Sequence, residues 1–203
     1  MIENLSAGDD YAYAVAIQQD GKIVAAGSFG TVIRYNTNGT RDTSFNGTGK
    51  ASTPLAPVNA VSIQSDGKIV VSGSLSNGTD KKLGIARLNT DGSIDTTFNT
   101  TGSVLTSIGS YADAGTGLAI DANGKIVVAG TIFNADDDGA VARYNPDGTP
   151  DTTFNATGLA VTDFGGMDYF YDIAIQSDGK LVTTGSGFIS GGTKDVVVAR
   201  YLP

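Results

Sequence analysis

Cysteine, histidine and tryptophan are all absent from the 203 residues. Without cysteine there is no disulfide, no thiolate metal site and no Cys nucleophile. Without histidine no His-based catalytic dyad or triad can form. Basic residues are the scarcer charge. Thirteen Lys and Arg stand against 21 Asp and Glu, and the net charge of −8 argues against a phosphate-backbone partner. No apolar run approaches the ~18 residues of a membrane-spanning helix. The opening decapeptide MIENLSAGDD has neither a basic start nor an apolar stretch, so it does not read as a signal peptide. The chain is then either cytosolic or a trimmed form of something exported.

What is present is repetition. Asp20-Gly21-Lys22-Ile23-Val24 returns as Asp66-Gly67-Lys68-Ile69-Val70, Asn123-Gly124-Lys125-Ile126-Val127 and Asp178-Gly179-Lys180-Leu181-Val182. Each is followed by a glycine: Gly27, Gly73, Gly130 and Gly185. A second motif keeps step, at Arg34-Tyr35, Arg87-Leu88, Arg143-Tyr144 and Arg200-Tyr201, with spacings of 53, 56 and 57 residues. A third, Asp-Thr-(Ser/Thr)-Phe-Asn, begins at Asp42, Asp95 and Asp151. Three motifs recurring in one order make the chain a single array with no linker.

Each period reads as short strands. Alternating apolar positions (Val15 and Ile17, Val61 and Ile63, Leu118 and Ile120, Ile173 and Ile175) mark the first. The Asp-Gly or Asn-Gly that follows predicts a two-residue hairpin turn of type I′. The Lys-Ile-Val segment is the second strand, the segment ending in Ala-Arg-Tyr the third, and Ser103–Thr106 or Leu159–Thr162 the fourth. Val and Ile favour the pleated surface. Four strands per period of about 50 residues predict an all-β fold, a β-propeller of four-stranded antiparallel blades. A single domain over 1–203 follows, with blades near 9–55, 56–108, 109–165 and 166–203. The last period ends at its third strand, so residues 1–8, with Ile2–Leu5 as the strand, are expected to complete the C-terminal blade. A solenoid of stacked sheets is the architectural alternative.

These motifs resemble the bacterial delta-60 repeat family, a β-propeller class of unknown function with the pattern A-I-Q-x-D-G-K-I-V-V-A-G…A-R-Y-N-x-D-G-S-L-D-x-T-F-G. Ala16-Ile17-Gln18, Asp66 to Val71 and Asp91 to Phe98 carry the match, and the likeness spans nearly the whole chain. Asn46, Asn99 and Asn155 stand where the family has Gly. The resemblance implies a secreted or cell-surface bacterial protein, and it supplies no catalytic residue.

Two closures stay open at this point: four blades in one chain, or two chains forming an eight-bladed ring as a homodimer. Small strand residues suit the larger ring, and the terminal strand suits either. Strand alternation divides the loops between two faces. The Asp-Gly-Lys and Asn-x-Asp-Gly turns share one. The second-to-third and fourth-to-first loops share the other, where lengths vary: Lys to Arg spans 12, 19, 18 and 20 residues in the four periods. That variable face is the candidate surface for a protein or glycan partner. It carries Asp9, Asp10 and Tyr11; Tyr111 and Asp113; Asp136, Asp137 and Asp138; and Asp168, Tyr169 and Tyr171. Carboxylates among aromatics suit a sugar, a basic peptide or a hydrated Ca²⁺, with Asp136, Asp137 and Asp138 as the metal candidates; otherwise no cofactor is expected.

The recurring Asn-x-Asp-Gly-x-x-Asp turn reads as architecture. Its Asx oxygens bond turn amides, Phe45, Phe98 and Phe154 anchor it between blades, and each Arg pairs with one of its Asp residues. Catalysis is not expected. Paired carboxylates run glycoside hydrolysis without His, but no acid sits inside an otherwise apolar strand; Asp163 and Asp172 come closest. Gly185-Ser186-Gly187 has no base beside it. The reading is a non-catalytic binding or assembly module, with a carbohydrate-binding lectin and a glycoside-active enzyme as alternatives.

Overall fold

The computed structural model describes residues 9–76, 80–108, 113–133, 136–188 and 192–203, which form four antiparallel sheets. Blade 1 holds β1 (Ala12–Ile17), β2 (Ile23–Gly27), β3 (Thr31–Tyr35) and β4 (Lys50–Ser52). Blade 2 holds β5 (Leu55–Ile63), β6 (Ile69–Ser76), β7 (Lys81–Leu88) and β8 (Ser103–Thr106). Blade 3 holds β9 (Ala114–Ile120), β10 (Ile126–Ile132), β11 (Asp138–Tyr144) and β12 (Leu159–Thr162). Blade 4 holds β13 (Tyr169–Ile175), β14 (Leu181–Gly187) and β15 (Asp195–Tyr201). Strands lie in sequence order within each sheet, and the first strands β1, β5, β9 and β13 pack on one another in succession. This is a β-propeller, as the repeats predict.

The glycine that ends each second-strand motif is required by close approach. A Cβ on Gly27, Gly73, Gly130 or Gly185 would stand 1.9, 2.0, 2.1 or 1.8 Å from a carbonyl oxygen of the first strand or, for Gly27, of Tyr11 just before it. The β1–β2, β5–β6, β9–β10 and β13–β14 ladders all shift register near this point, so the bulged backbone leans where a side chain would be.

The Asp-Gly-Lys turns differ from the expected type I′ geometry. Only the glycine takes positive φ (81° at Gly21), and Gly21 N donates to Gln18 O while Gln18 N donates to Lys22 O. A three-residue loop with a bulged glycine results, because Asp20 Oδ1 accepts the Lys22 amide and holds the aspartate outside the left-handed region. Asn46, Asn99 and Asn155, by contrast, do adopt positive φ (49°, 46° and 48°). Each Nδ2 donates to the carbonyl four residues on, which explains asparagine where the family has glycine.

The core consists of three layers between blades. Val24, Val32 and Phe45 meet Ile69, Val71 and Leu88 in the first. Val70, Ile85 and Phe98 meet Ile126, Val128 and Tyr144 in the second. Val127, Val141 and Phe154 meet Ile173, Leu181 and Val197 in the third. Among the described residues no core cluster joins blade 4 to blade 1, so single-chain closure is not formed by them. The expected closing strand, residues 1–8, lies outside the described residues. The fourth sheet therefore has three described strands.

Among the described residues two end faces stand open. On blade 1, Tyr11, Tyr13, Val15 and Ile17 are 54, 52, 66 and 71% exposed. On blade 4, Tyr171, Val196 and Val198 are 54, 83 and 62% exposed.

Candidate functional site

The turn face is built from one unit used three times. Arg34 Nε donates to Asp42 Oδ2 at 2.8 Å, Lys22 meets the same oxygen at 3.0 Å, and Arg34 Nη1 donates to the Thr90 carbonyl of the next blade. Arg87 repeats this with Asp95, Lys68 and the Pro146 carbonyl. Arg143 pairs with Asp151, which also takes Lys125. The guanidinium carbons stand 4.5, 4.6 and 4.9 Å over the rings of Phe45, Phe98 and Phe154. All three carboxyls are held well below the usual carboxylate range. The Ser44 hydroxyl is the largest influence on Asp42. For Asp95 and Asp151 burial is the largest and pushes upward, and the hydrogen bonds of Lys68 with Thr97, and of Lys125 with Thr153, outweigh it. Each arginine is thus engaged within the chain, the architectural role that the motif implies.

The variable face separates the candidate residues into three places. Asp10 and Tyr11 lie at the start of blade 1, where Tyr11 exchanges bonds with Ser28 (its amide to Ser28 Oγ, the Ser28 amide to its carbonyl) and stacks on Tyr13. They line an open hollow with Ala25, Ile33 and Tyr35 on the end face. Asp113 is fully buried between blades 2 and 3, accepting the Ile108 and Phe133 amides, with Lys82 Nζ at 3.9 Å. It is a buried acid, with the Lys82 ammonium of the preceding blade beside it. Tyr111 lies outside the described residues.

The third place is the junction of blades 3 and 4, where Asp136, Asp137, Asp138, Asp168 and Tyr169 come together. The Asp137 carbonyl accepts the Asp168 amide at 2.7 Å, and Asp137 Oδ2 accepts the Tyr169 hydroxyl at 2.8 Å. The carboxylates that converge are Asp138, Asp163 and Asp168, each with an oxygen within 4.8 Å of the others. Of the expected trio Asp136, Asp137 and Asp138, only Asp138 belongs to this group. Consecutive residues entering a strand point apart, and Asp137 is spent on Tyr169. Asp163 is the member of the cluster that the sequence reading did not place there; its signal was its position just after β12, directly before the loop that leads to Asp168. Asp168 is fully buried and Oδ1 has no hydrogen-bond partner, while Oδ2 accepts the Phe164 amide at 2.5 Å. Burial pushes its carboxyl up, and the charges of Asp163, Asp138 and Asp136 add to that. The acid with a raised value is thus Asp168.

A family model described as "Domain of unknown function (DUF5122) beta-propeller" matches residues 18–45, 64–98, 122–154 and 176–203. No curated protein matches the chain. Among solved structures, a protein of unknown function from Bacteroides caccae is 14% identical with TM-score 0.58, covering 91% of this chain and 56% of that one. A glucose dehydrogenase is 10% identical with TM-score 0.57, covering 93% and 61%. PorZ, a bacterial surface component of the type-IX secretion system of Porphyromonas gingivalis, is 15% identical with TM-score 0.50, covering 98% and 28%. At these identities the likeness is one of fold. The chain spans about half the length of the first of these neighbours, the Bacteroides caccae protein.

Proposed function

The chain belongs to the DUF5122 β-propeller family, and from that premise we propose that it is a non-catalytic assembly module whose two end faces close on a second copy of itself. The observation that carries this reading is positional. Val198 occupies the repeat position of Val32, Ile85 and Val141. Those three are fully buried against the next blade, whereas Val198 is 62% exposed. Val15 and Ile17 of blade 1 likewise occupy the positions with which Val61 and Ile63 meet the preceding blade. The face that blade 4 leaves open is therefore of the kind that blades 2, 3 and 4 cover on their predecessors, and blade 1 presents its counterpart.

Polar groups agree with this register. Arg200 is exposed on blade 4, and Thr37 is exposed on blade 1 at the position of Thr90 and Pro146, whose carbonyls take the arginine of the preceding blade. Two copies related by a two-fold axis satisfy both ends at once and give eight blades. The first two of the fold neighbours are longer chains, of which this one covers 56 and 61%, and that supports a ring larger than four. Each large apolar side chain covered contributes about 1.5–3 kcal/mol.

The reading is non-catalytic because Asp168, the carboxyl whose affinity for a proton is raised, is fully buried, where an organic substrate has no access to it. The family resemblance, with a surface component among the fold neighbours, supports a place outside the cell. Dilution-series sedimentation tests the assembly. The expected particle has twice the 20.7 kDa chain mass, and Val198→Asp or Ile17→Asp reduces it to single chains with native circular dichroism. A single chain at every concentration, or a double mass unmoved by both substitutions, overturns it.

A further inference from the structure

We propose that Asp138, Asp163 and Asp168 hold a Ca²⁺ ion at the junction of blades 3 and 4, in the place where the preceding junction sets the ammonium of Lys82. The argument starts from the repeat. Lys82 pairs with Leu75 across β6–β7, and Asp138 pairs with Ile132 across β10–β11, so the two residues share one position. Asp113 and Asp168 also share one position, each buried and each accepting the amide that follows the fourth strand, from Ile108 and from Phe164.

In the earlier junction the buried carboxylate faces a cation at 3.9 Å. In the later one it faces two more carboxylates, from Asp138 and Asp163. A lysine has become an aspartate, and the position after the fourth strand has changed from Ser107 to Asp163. A buried carboxylate without a cation is costly, and like charges beside it add to the cost.

The independent sign of a ligand is Asp168 Oδ1. It is a fully buried oxygen with no hydrogen-bond partner, in a carboxylate that reaches the cluster. The adjacent strand β14 leaves room for it: a Cβ on Gly187 would stand 2.2 Å from that atom. Three hard oxygen donors, two flanking the β12–β13 loop and one opening β11, with exposed Asp163 open to water, suit a cation that takes six to eight oxygens in flexible geometry. Ca²⁺ is that cation, and water at the open side completes its shell.

The site lies within one chain and does not depend on the second copy. Calorimetric titration of Ca²⁺ into chelator-treated protein, run on the native chain and on the Val198→Asp chain, separates the two proposals. One Ca²⁺ per chain is expected in both, with a higher thermal midpoint in Ca²⁺ than in chelator. Asp163→Asn weakens binding at least about tenfold. Asp138→Lys, which restores the pattern of the earlier junction, abolishes binding and raises the midpoint in chelator, so loss of binding there cannot be a loss of fold. Asp136→Asn, outside the cluster, binds as the native chain does. No binding at millimolar Ca²⁺, or affinity unchanged by both Asp163→Asn and Asp138→Lys, overturns the proposal.

Discussion

Val198 and Ile85 are the same residue position in two blades, yet Ile85 is fully buried and Val198 is 62% exposed. Ile85 has blade 3 beside it, and Val198 has no described blade. The difference teaches that in a propeller the sheet is not the folding unit. Each blade is apolar on both faces, and the core belongs to the gaps between blades. An interior blade is thus covered twice, and an end blade once.

The comparison breaks most sharply under a buried charge. Ile85→Asp places an unpaired carboxylate in a closed gap, a cost comparable with the entire stability of a domain, about 5–15 kcal/mol. The expected outcome is an unfolded chain by circular dichroism. Val198→Asp leaves the unfolding free energy of the single chain within about 0.5 kcal/mol, and its effect appears in association alone.

Next in size is Asp95→Asn. It leaves Arg87 and Lys68 against a carboxamide, and about 3–5 kcal/mol is expected to be lost in urea titrations. Blade 4 provides the contrast: Lys180 meets Asp178 in an exposed turn, and Asp178→Asn should leave the midpoint unmoved.

Acid tests the same three interior units together. Asp42, Asp95 and Asp151 are depressed in the folded chain from an unfolded reference of 3.8. Their contribution is complete above that reference and drains away as pH falls below it toward the folded values. Urea midpoints should hold between pH 7 and 5 and then drop steadily below pH 4. A midpoint unchanged down to pH 2 contradicts the assignment. The smallest of the expected losses is Asn99→Ala, about 1 kcal/mol from forcing alanine to positive φ, with Asn99→Gly costing less.

The fold was legible because the same motif is written four times. Strand order, the Arg–Asp pairs and the buried Phe anchors all follow from residues that recur in step. The hairpin type was not, since Asp-Gly is compatible with two loop geometries and the Asp20 side-chain bond chooses between them. The candidate site was legible in part. Asp138, Asp168 and Tyr169 stand out as loop acids and an aromatic, but their convergence with Asp163 depends on two blades packing. Consecutive acids attract attention in a sequence; a strand entry turns them apart. The more informative signal was a departure from the repeat, aspartate at the position of Lys82, visible only once β7 and β11 are set in register.

The central claim is that the open faces of blades 1 and 4 are two halves of one interface. Counting blades in electron-microscopy class averages of the purified chain tests it most directly. A closed ring of eight blades is predicted; isolated groups of four, or open strings of more than two copies, would contradict it.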